Sequence, residues 1–155
     1  MTVTVSVESP RQPEVLELLR QSDEFTLSLY PPESCFLLDV SELERPGVTV
    51  FVSRSEDAAV GIGALVDRGD GSAELKRMFV SADARGFGIA GRILKSAEAH
   101  AVATGVHTIQ LETGPLQRSA IALYERHGYA RIPLFGQYVG EEFSLCYEKQ
   151  LAGPA

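Results

Sequence analysis

Hydrophobic and polar positions alternate or repeat in ways that divide the first third of the chain into elements. Strict alternation over TVTVSV, residues 2–7, predicts a first strand. From Pro13 the apolar residues recur at helical spacing, which predicts a helix to about Arg20. The stretch from 22 to 47 is less regular, and we interpret it as a second short helix followed by a loop.

Three apolar runs separated by short polar turns follow in the middle of the chain. The turns are SEDA and DRGDGS, whose Asp, Ser and Gly residues are typical of hairpin connections. The pattern therefore predicts an antiparallel meander with strands at 48–54, 59–67 and 73–80.

The second half of the chain alternates helices and strands. A helix runs to about Thr104, and Gly128 ends the next helix. Later elements are a strand at 107–113, a helix at 119–127 and closing strands at 129–132 and 143–149. Helices and strands are thus mixed along the whole chain, and the expected class is α/β in the broad sense, more narrowly α+β.

Length and composition favour one globular domain over residues 1–155. With 155 residues, 45% of them hydrophobic, the chain is long enough to bury a core. No run of about 18 apolar residues is present, and MTVTVSVESP lacks the features of a signal peptide, so we expect a cytoplasmic protein. Cys35 and Cys146 lie far apart without metal-ligand spacing, and we expect neither a disulfide nor a metal site.

The charge of the chain is acidic overall but basic in one segment. A net charge of −7 and a pI near 5.0 argue against nucleic acid or an anionic membrane as a partner. Residues 74–95 nevertheless carry a local excess of three positive charges. This excess is consistent with an anionic cofactor, although an ordinary solvated helix face would have the same composition.

A glycine-rich turn, GFGIAG at 86–91, precedes the helix that ends near Thr104. Glycines allow backbone N–H groups to approach a ligand, and a helix N-terminus favours a phosphate. The turn matches G-x-G-x-x-G, with Glu112 about twenty residues further on, as in dinucleotide-binding folds. Five residues, 81–85, separate the strand from the first glycine, however, and the strand carries two cations, which argues against that fold. A P-loop is also disfavoured, because no Lys-Ser or Lys-Thr follows the glycines.

A third pattern fits this turn better. Residues 85–90, Arg-Gly-Phe-Gly-Ile-Ala, resemble the R-x-x-G-x-A acyl-CoA signature of the GCN5-related N-acetyltransferase (GNAT) family. AELKRMFV resembles the fourth strand of that family, and IALYERHGY resembles its Y-x-x-x-G-[FY] helix end. The order of elements is similar over almost the whole chain. The resemblance implies the GNAT acyl-CoA N-acyltransferase fold, a mixed, mostly antiparallel sheet of about seven strands flanked by about four helices.

The resemblance also implies acetyl-CoA as the acyl donor and no metal. The pyrophosphate would lie on the glycine turn, and the pantetheine arm would pair with the fourth strand where that strand splays from the fifth. Such a splay needs an irregularity such as a bulge, whose position is not visible in the sequence. Gln117 stands where the family often has Asn. The implied donor-binding residues are Met78, Phe79, Val80, Arg85, Gly86, Phe87, Gly88, Ile89, Ala90, Gly91, Gln117 and Tyr124.

Three residues are candidates for proton transfer. Tyr124 matches the family tyrosine that protonates the departing thiolate, although a tyrosine on an amphipathic helix is also an ordinary core residue. Glu74 is the first candidate for the base that deprotonates the acceptor amine, and Glu112 is the second. Each glutamate is also compatible with an ordinary solvated strand residue that has no catalytic role. A chain of water molecules is the alternative to a glutamate base.

The implied activity is transfer of an acetyl group to a primary amine of a small molecule or peptide, by direct attack in a ternary complex. The acceptor pocket would be formed by residues 22–47 and 133–142, which supply Tyr30, Phe36, Phe135 and Tyr138. The sequence does not identify the acceptor. A non-catalytic module that binds acyl-CoA is the alternative function. Family members are often homodimers, and the sequence does not test this state.

Overall fold

The computed structural model describes residues 2–152, in which a single sheet of seven strands is accompanied by four α-helices. The strands are β1 (Val3–Val7), β2 (Val48–Ser55), β3 (Ala58–Asp67), β4 (Ser72–Val80), β5 (Thr108–Thr113), β6 (Ala130–Ile132) and β7 (Leu145–Gln150). The helices are α1 (Pro13–Leu29), α2 (Val40–Leu43), α3 (Ile89–Ala103) and α4 (Arg118–Arg126). Within this part of the chain, no helix is both long enough and apolar enough to cross a bilayer.

The order of the strands across the sheet is β1-β2-β3-β4-β5-β7-β6. Every neighbouring pair is antiparallel except β4 and β5, which run parallel. The helix α3 forms the crossover that a parallel pair requires. The predicted fold, a mixed and mostly antiparallel sheet flanked by helices, is confirmed.

The first helix is longer than the sequence pattern predicts. The predicted break near Arg20 is wrong, because α1 continues without interruption to Leu29. The second short helix expected within residues 22–47 is present, but it is α2 at Val40–Leu43. The side chain of Arg20 pairs with Glu17 at 2.6 Å and with Glu24 at 2.8 Å, and these contacts bridge the expected break. The next residues that oppose a helix are Pro31 and Pro32, so the helix ends just before them.

Helices cover both faces of the sheet, and each face has its own core. The helices α1 and α2 pack on one face, where the buried residues include Val15, Leu18, Leu19, Leu43, Val52 and Ile62. The helices α3 and α4 pack on the other, where they include Ile93, Leu94, Ala97, Leu123, Leu75 and Leu111. The middle of the sheet therefore lies between α1 on one side and α3 and α4 on the other.

Two glycines of β3 let α3 lie close to the sheet. A Cβ atom added to Gly63 would come within 2.9 Å of Cγ2 of Ile93, and one added to Gly61 would come within 3.0 Å of its Cδ1. Since α3 packs directly on this strand backbone, the N-terminus of the helix is held near the end of β4.

Candidate functional site

The strands β4 and β5 diverge after only four paired residues. Their parallel ladder runs from Ser72 opposite Thr108 to Leu75 opposite Leu111. Beyond it, β4 continues to Val80 and β5 to Thr113. The facing backbone groups of the two strands are then free to bind an extended ligand. This is the splay that the sequence resemblance implies.

A bulge in β4 lies where the strands begin to diverge. Ile62 is opposite Phe79 and Ala64 is opposite Lys76, so both Arg77 and Met78 face the single residue Gly63. Arg77 has φ of +59°, a left-handed conformation that costs a non-glycine residue roughly 1–2 kcal/mol. The irregularity that the sequence did not locate is therefore at an arginine.

Arg77 is held in this conformation by contacts with α1. Its side chain is 3% exposed, and Nη1 donates to Asp23 Oδ1 at 2.6 Å. Nη2 donates to the carbonyl oxygen of Leu19 at 3.2 Å. Nε is buried and has no hydrogen-bond partner among residues 2–152. The buried side chain of Arg77 therefore connects the strained backbone of the bulge to α1.

A cavity occupies the mouth of the opening between β4 and β5. It brings together residues from α1, β4, β5, α4 and the segment that precedes β7. Of the predicted site residues, the cavity wall contains Tyr30, Phe36, Glu74, Met78, Glu112, Gln117, Tyr124 and Tyr138. Positions far apart in the sequence thus converge on one space next to the free edge of β4.

The glycine turn leads into the N-terminus of α3. Gly86 and Gly88 have φ of +88° and +74°, and Gly88 is the N-cap residue. A Cβ on either residue would meet no atom within 4 Å, so both face open space. Because the first N–H groups of a helix have no partner within it, the turn presents free donors beside a positive helix end. These features fit a pyrophosphate.

The remaining residues of the turn have contacts of their own. Nε of Arg85 donates to the carbonyl of Val80, at the end of β4, at 3.1 Å, and the guanidinium lies 5.4 Å from the ring of Phe25 on α1. Phe87 is 60% exposed. A Cβ on Gly91 would lie 3.2 Å from Nε2 of His127, so this glycine also serves the packing of α3 against the end of α4.

Glu74 is part of a hydrogen-bonded network. The hydroxyl of Tyr138 donates to its Oε2 at 2.5 Å, and Nη2 of Arg68 approaches Oε1 at 3.4 Å. Nζ of Lys76 donates to the same hydroxyl at 2.8 Å. Burial, followed by the Glu74 charge, raises the pKa of the Tyr138 phenol far above its usual range. Both oxygens of Glu74 are therefore already engaged.

Glu112 has a different environment. Its Oε2 accepts a hydrogen bond from the Ser144 hydroxyl at 2.7 Å. Burial raises the pKa of this carboxyl above its ordinary value of 4.5, although Ser144 and the Lys76 charge act in the opposite direction. Glu112 thus has a neutral partner and an increased affinity for a proton.

Tyr124 lies on α4. Its side chain belongs to the core on the face of the sheet that α3 and α4 cover, and it also lines the cavity. It is buried, and its hydroxyl makes no hydrogen bond to residues 2–152. Burial is the main cause that raises the pKa of this phenol above its usual range. Tyr124 therefore keeps its proton at neutral pH.

Three of the four predicted acceptor residues, Tyr30, Phe36 and Tyr138, form an aromatic wall of the cavity. The Tyr30 hydroxyl accepts from the Leu116 N–H at 3.0 Å. The rings of Phe36 and Phe135 pack edge-on against Tyr138 at 5.0 and 5.3 Å. Phe36 lines the cavity, whereas Phe135 packs against Tyr138 and does not line it.

Gln117, a predicted donor-binding residue, lines the cavity at the start of α4. Its side-chain oxygen accepts a hydrogen bond from the Gly114 N–H at 3.0 Å.

Several lining residues were not singled out from the sequence. Lys76 and Arg77 entered the sequence analysis only as charges, in the local basic excess and as the two cations of the strand. Ser22 and Thr26 lie on the part of α1 that was predicted wrongly. Phe143, expected at the start of the last strand, precedes β7 and lines the cavity instead. Within residues 2–152, no three His, Cys, Asp or Glu side chains lie close enough to hold a metal ion.

Known proteins share sequence and fold with this chain. The profile of the Acetyltransferase (GNAT) family matches residues 13–129. An Azospirillum brasilense protein named IAA acetyltransferase is 41% identical over 150 residues, which cover 96% of this chain and 98% of that protein. The structure of a Klebsiella pneumoniae protein, described as an acyl-CoA N-acyltransferase, superimposes with a TM-score of 0.82 at 31% identity, covering 97% of this chain and 98% of that one. The PaiA N-acetyltransferase of Thermoplasma acidophilum, solved with coenzyme A, shares the fold with a TM-score of 0.76 at 15% identity, covering 97% and 99% of the two chains.

Proposed function

The chain belongs to the acetyltransferase (GNAT) family, and on that premise we propose that it transfers the acetyl group of acetyl-CoA to a primary amine of a small molecule or peptide. The observation that carries the proposal is the cavity at the β4–β5 opening, where Glu112 and Tyr124 meet beside the free edge of β4. Family membership favours an enzyme over the idle acyl-CoA-binding module.

The donor would be held along β4 and at the start of α3. The backbone of Met78, Phe79 and Val80 lies beyond the last β4–β5 pair, and its groups on that side suit the amides of the pantetheine arm, which form strand-like hydrogen bonds. The N–H groups of residues 86–91 suit the pyrophosphate. Acetyl-CoA supplies the activated thioester, and these residues of the chain bind and orient it.

We assign the role of base to Glu112 rather than to Glu74. The oxygens of Glu74 are engaged by Tyr138 and Arg68, so accepting a proton there would disrupt the network. Glu112 has only the Ser144 hydroxyl as a partner, and its raised pKa makes it a better proton acceptor than an ordinary carboxylate. This support reverses the order of preference between the two glutamates that we inferred from the sequence alone.

Tyr124 completes the proton transfers. The neutral amine forms a C–N bond with the thioester carbonyl carbon, its proton passes to Glu112, and the C–S bond breaks. The sulfur leaves as a thiolate and takes the proton of the Tyr124 hydroxyl. Burial that raises the pKa of this phenol acts in the same direction on a thiol in the same cavity, so the proton moves between two similarly desolvated groups.

An acceptor panel tests the proposed function. Release of free thiol from acetyl-CoA would be measured with alkylamines, arylalkylamines, amino acids and peptide N-termini, and with IAA because the Azospirillum relative is named for it. We expect thiol release that depends on a primary amine and that is reduced strongly by Tyr124→Phe and also reduced by Glu112→Gln. Release that depends on IAA alone, or no acceptor-dependent release, would overturn the amine assignment.

A further inference from the structure

Arg77 combines three features that are individually unfavourable. Its backbone is left-handed, its charged side chain is buried, and its Nε–H lacks a partner within residues 2–152. Strain of this kind persists only where surrounding contacts enforce it, and it is concentrated at functional sites. Here the enforcing contacts are Asp23 and the carbonyl of Leu19, both on α1.

The bulge at Arg77 lies where β4 leaves β5. Pairing between the strands ends at Leu75, two residues earlier, and the free edge that suits the donor begins one residue later, at Met78. The bulge also places Lys76 and Arg77 on the same face of β4, towards Tyr138 and α1 respectively. Any change in the bulge would therefore move the free edge relative to the cavity.

The same contacts fix the face of α1 that borders the cavity. Leu19 and Asp23 are one turn apart on this helix, and Ser22, Thr26 and Tyr30 follow at helical spacing along the cavity wall. A single guanidinium thus ties the helix that forms the acceptor side of the cavity to the strand that forms the donor side.

We propose that Arg77 is a positioning residue, which sets the β4–β5 opening by locking the bulge of β4 to Asp23 and Leu19 of α1. The proposal deepens the proposed function and rests on it for the identity of the ligand. Arg77 touches neither reacting group. It acts through the backbone of Met78–Val80. Replacement of the Arg77 side chain should therefore weaken the binding of coenzyme A.

Two variants separate the side chain from the backbone conformation. Arg77→Gly retains a residue that readily adopts positive φ but removes the link to α1. Asp23→Asn leaves Arg77 in place and removes only the charge of its partner, whose side chain is 44% exposed and therefore tolerant of change. Glu8→Gln is the matched control, because it breaks the 2.9 Å ion pair with Arg54, far from the opening.

The test is the Kd for coenzyme A, measured calorimetrically at a temperature well below the Tm of every variant. We expect Arg77→Gly to weaken binding at least tenfold and Asp23→Asn several-fold, and Glu8→Gln to lower Tm without changing Kd. Kd values within twofold of wild type for both Arg77→Gly and Asp23→Asn would overturn the proposal. Failure of the proposed function looks different, since the wild type would then bind coenzyme A but acetylate no amine.

Discussion

The hydroxyl of Tyr138 donates a hydrogen bond to Oε2 of Glu74 at 2.5 Å, across 64 positions of sequence. The same hydroxyl accepts from Lys76 at 2.8 Å. The segment before β7 is therefore fastened to β4 by one phenol between two charged side chains, which are only 14% and 8% exposed. Tyr138 closes the aromatic wall of the cavity through this contact.

Tyr138→Phe should lower the free energy of unfolding by about 1–3 kcal/mol, because Glu74 and Lys76 each lose a partner in a poorly hydrated site. Urea denaturation measures the change. Tyr147→Phe is the control, since that hydroxyl has only a 3.4 Å contact with Glu125 and its loss should cost much less. Equal losses in the two variants would show that the network contributes no special stability.

Glu112→Gln should increase stability at neutral pH. The folded state raises the pKa of Glu112, so ionisation of this carboxyl above that pKa costs folding free energy that an uncharged amide avoids. As the pH falls below the ordinary value of 4.5, wild type becomes protonated in both states and the advantage of the variant should disappear. Unfolding free energies measured from pH 4 to pH 8 test this sign, and a constant difference would contradict it.

Glu8→Gln should behave in the opposite way. Hydrogen bonds from Arg54 lower the pKa of Glu8 to about 2, so its charged form stabilises the fold above the ordinary value of 4.5. The variant should therefore be less stable than wild type at neutral pH, and the deficit should shrink as the pH falls from 4.5 towards about 2. Comparison of the two variants therefore separates the effect of burial on the pH dependence of stability from the effect of ion pairing.

Tyr124→Phe should reduce kcat by about 10²- to 10⁴-fold if the phenol is the general acid. Stability should change little, because the hydroxyl has no hydrogen-bond partner among residues 2–152. Tyr129→Phe is the control, because the Tyr129 hydroxyl donates to Glu98 at 2.9 Å and this residue does not line the cavity. That variant should lose stability and keep kcat, and a Tyr124→Phe enzyme with wild-type kcat would exclude the acid role.

Gly88→Ala should raise the KM for acetyl-CoA. Gly69 has nearly the same φ, +79° against +74°, and neither glycine has an atom within 4 Å of a built Cβ. Gly69→Ala should therefore cause a similar loss of stability, about 1–2 kcal/mol, without affecting the KM. Thermal unfolding and steady-state kinetics on the pair separate backbone strain from obstruction of the donor site. A KM that rises equally in both variants would contradict the assignment of the glycine turn.

Local sequence patterns predicted the elements whose conformation depends mainly on residues close together in the sequence. The meander and the glycine turn follow from alternation and from turn residues, which act over a few positions. The length of α1 was missed because its second half, including buried Ser22, is stabilised by tertiary contacts, among them the link from Asp23 to Arg77. The bulge was not located because nothing marks an arginine in advance as a residue with positive φ.

The preference between the two glutamates was also beyond sequence reasoning. Glu74 and Glu112 occupy similar strand positions, and their environments differ through Tyr138 and Ser144, which arrive from the segment before β7. A residue's capacity to act as a base depends on such partners, and they become visible only when the chain is folded.

The divergence of β4 and β5 places two bare strand edges in the interior of a sheet. At the outside of a sheet, such edges invite neighbouring molecules to add strands and aggregate. Here the edges lie between α1 on one face of the sheet and α3 on the other. Under the proposed function, a slender, amide-bearing chain would therefore find strand-type hydrogen-bonding groups between two helices, whereas a sheet normally presents such groups only at its outer strands.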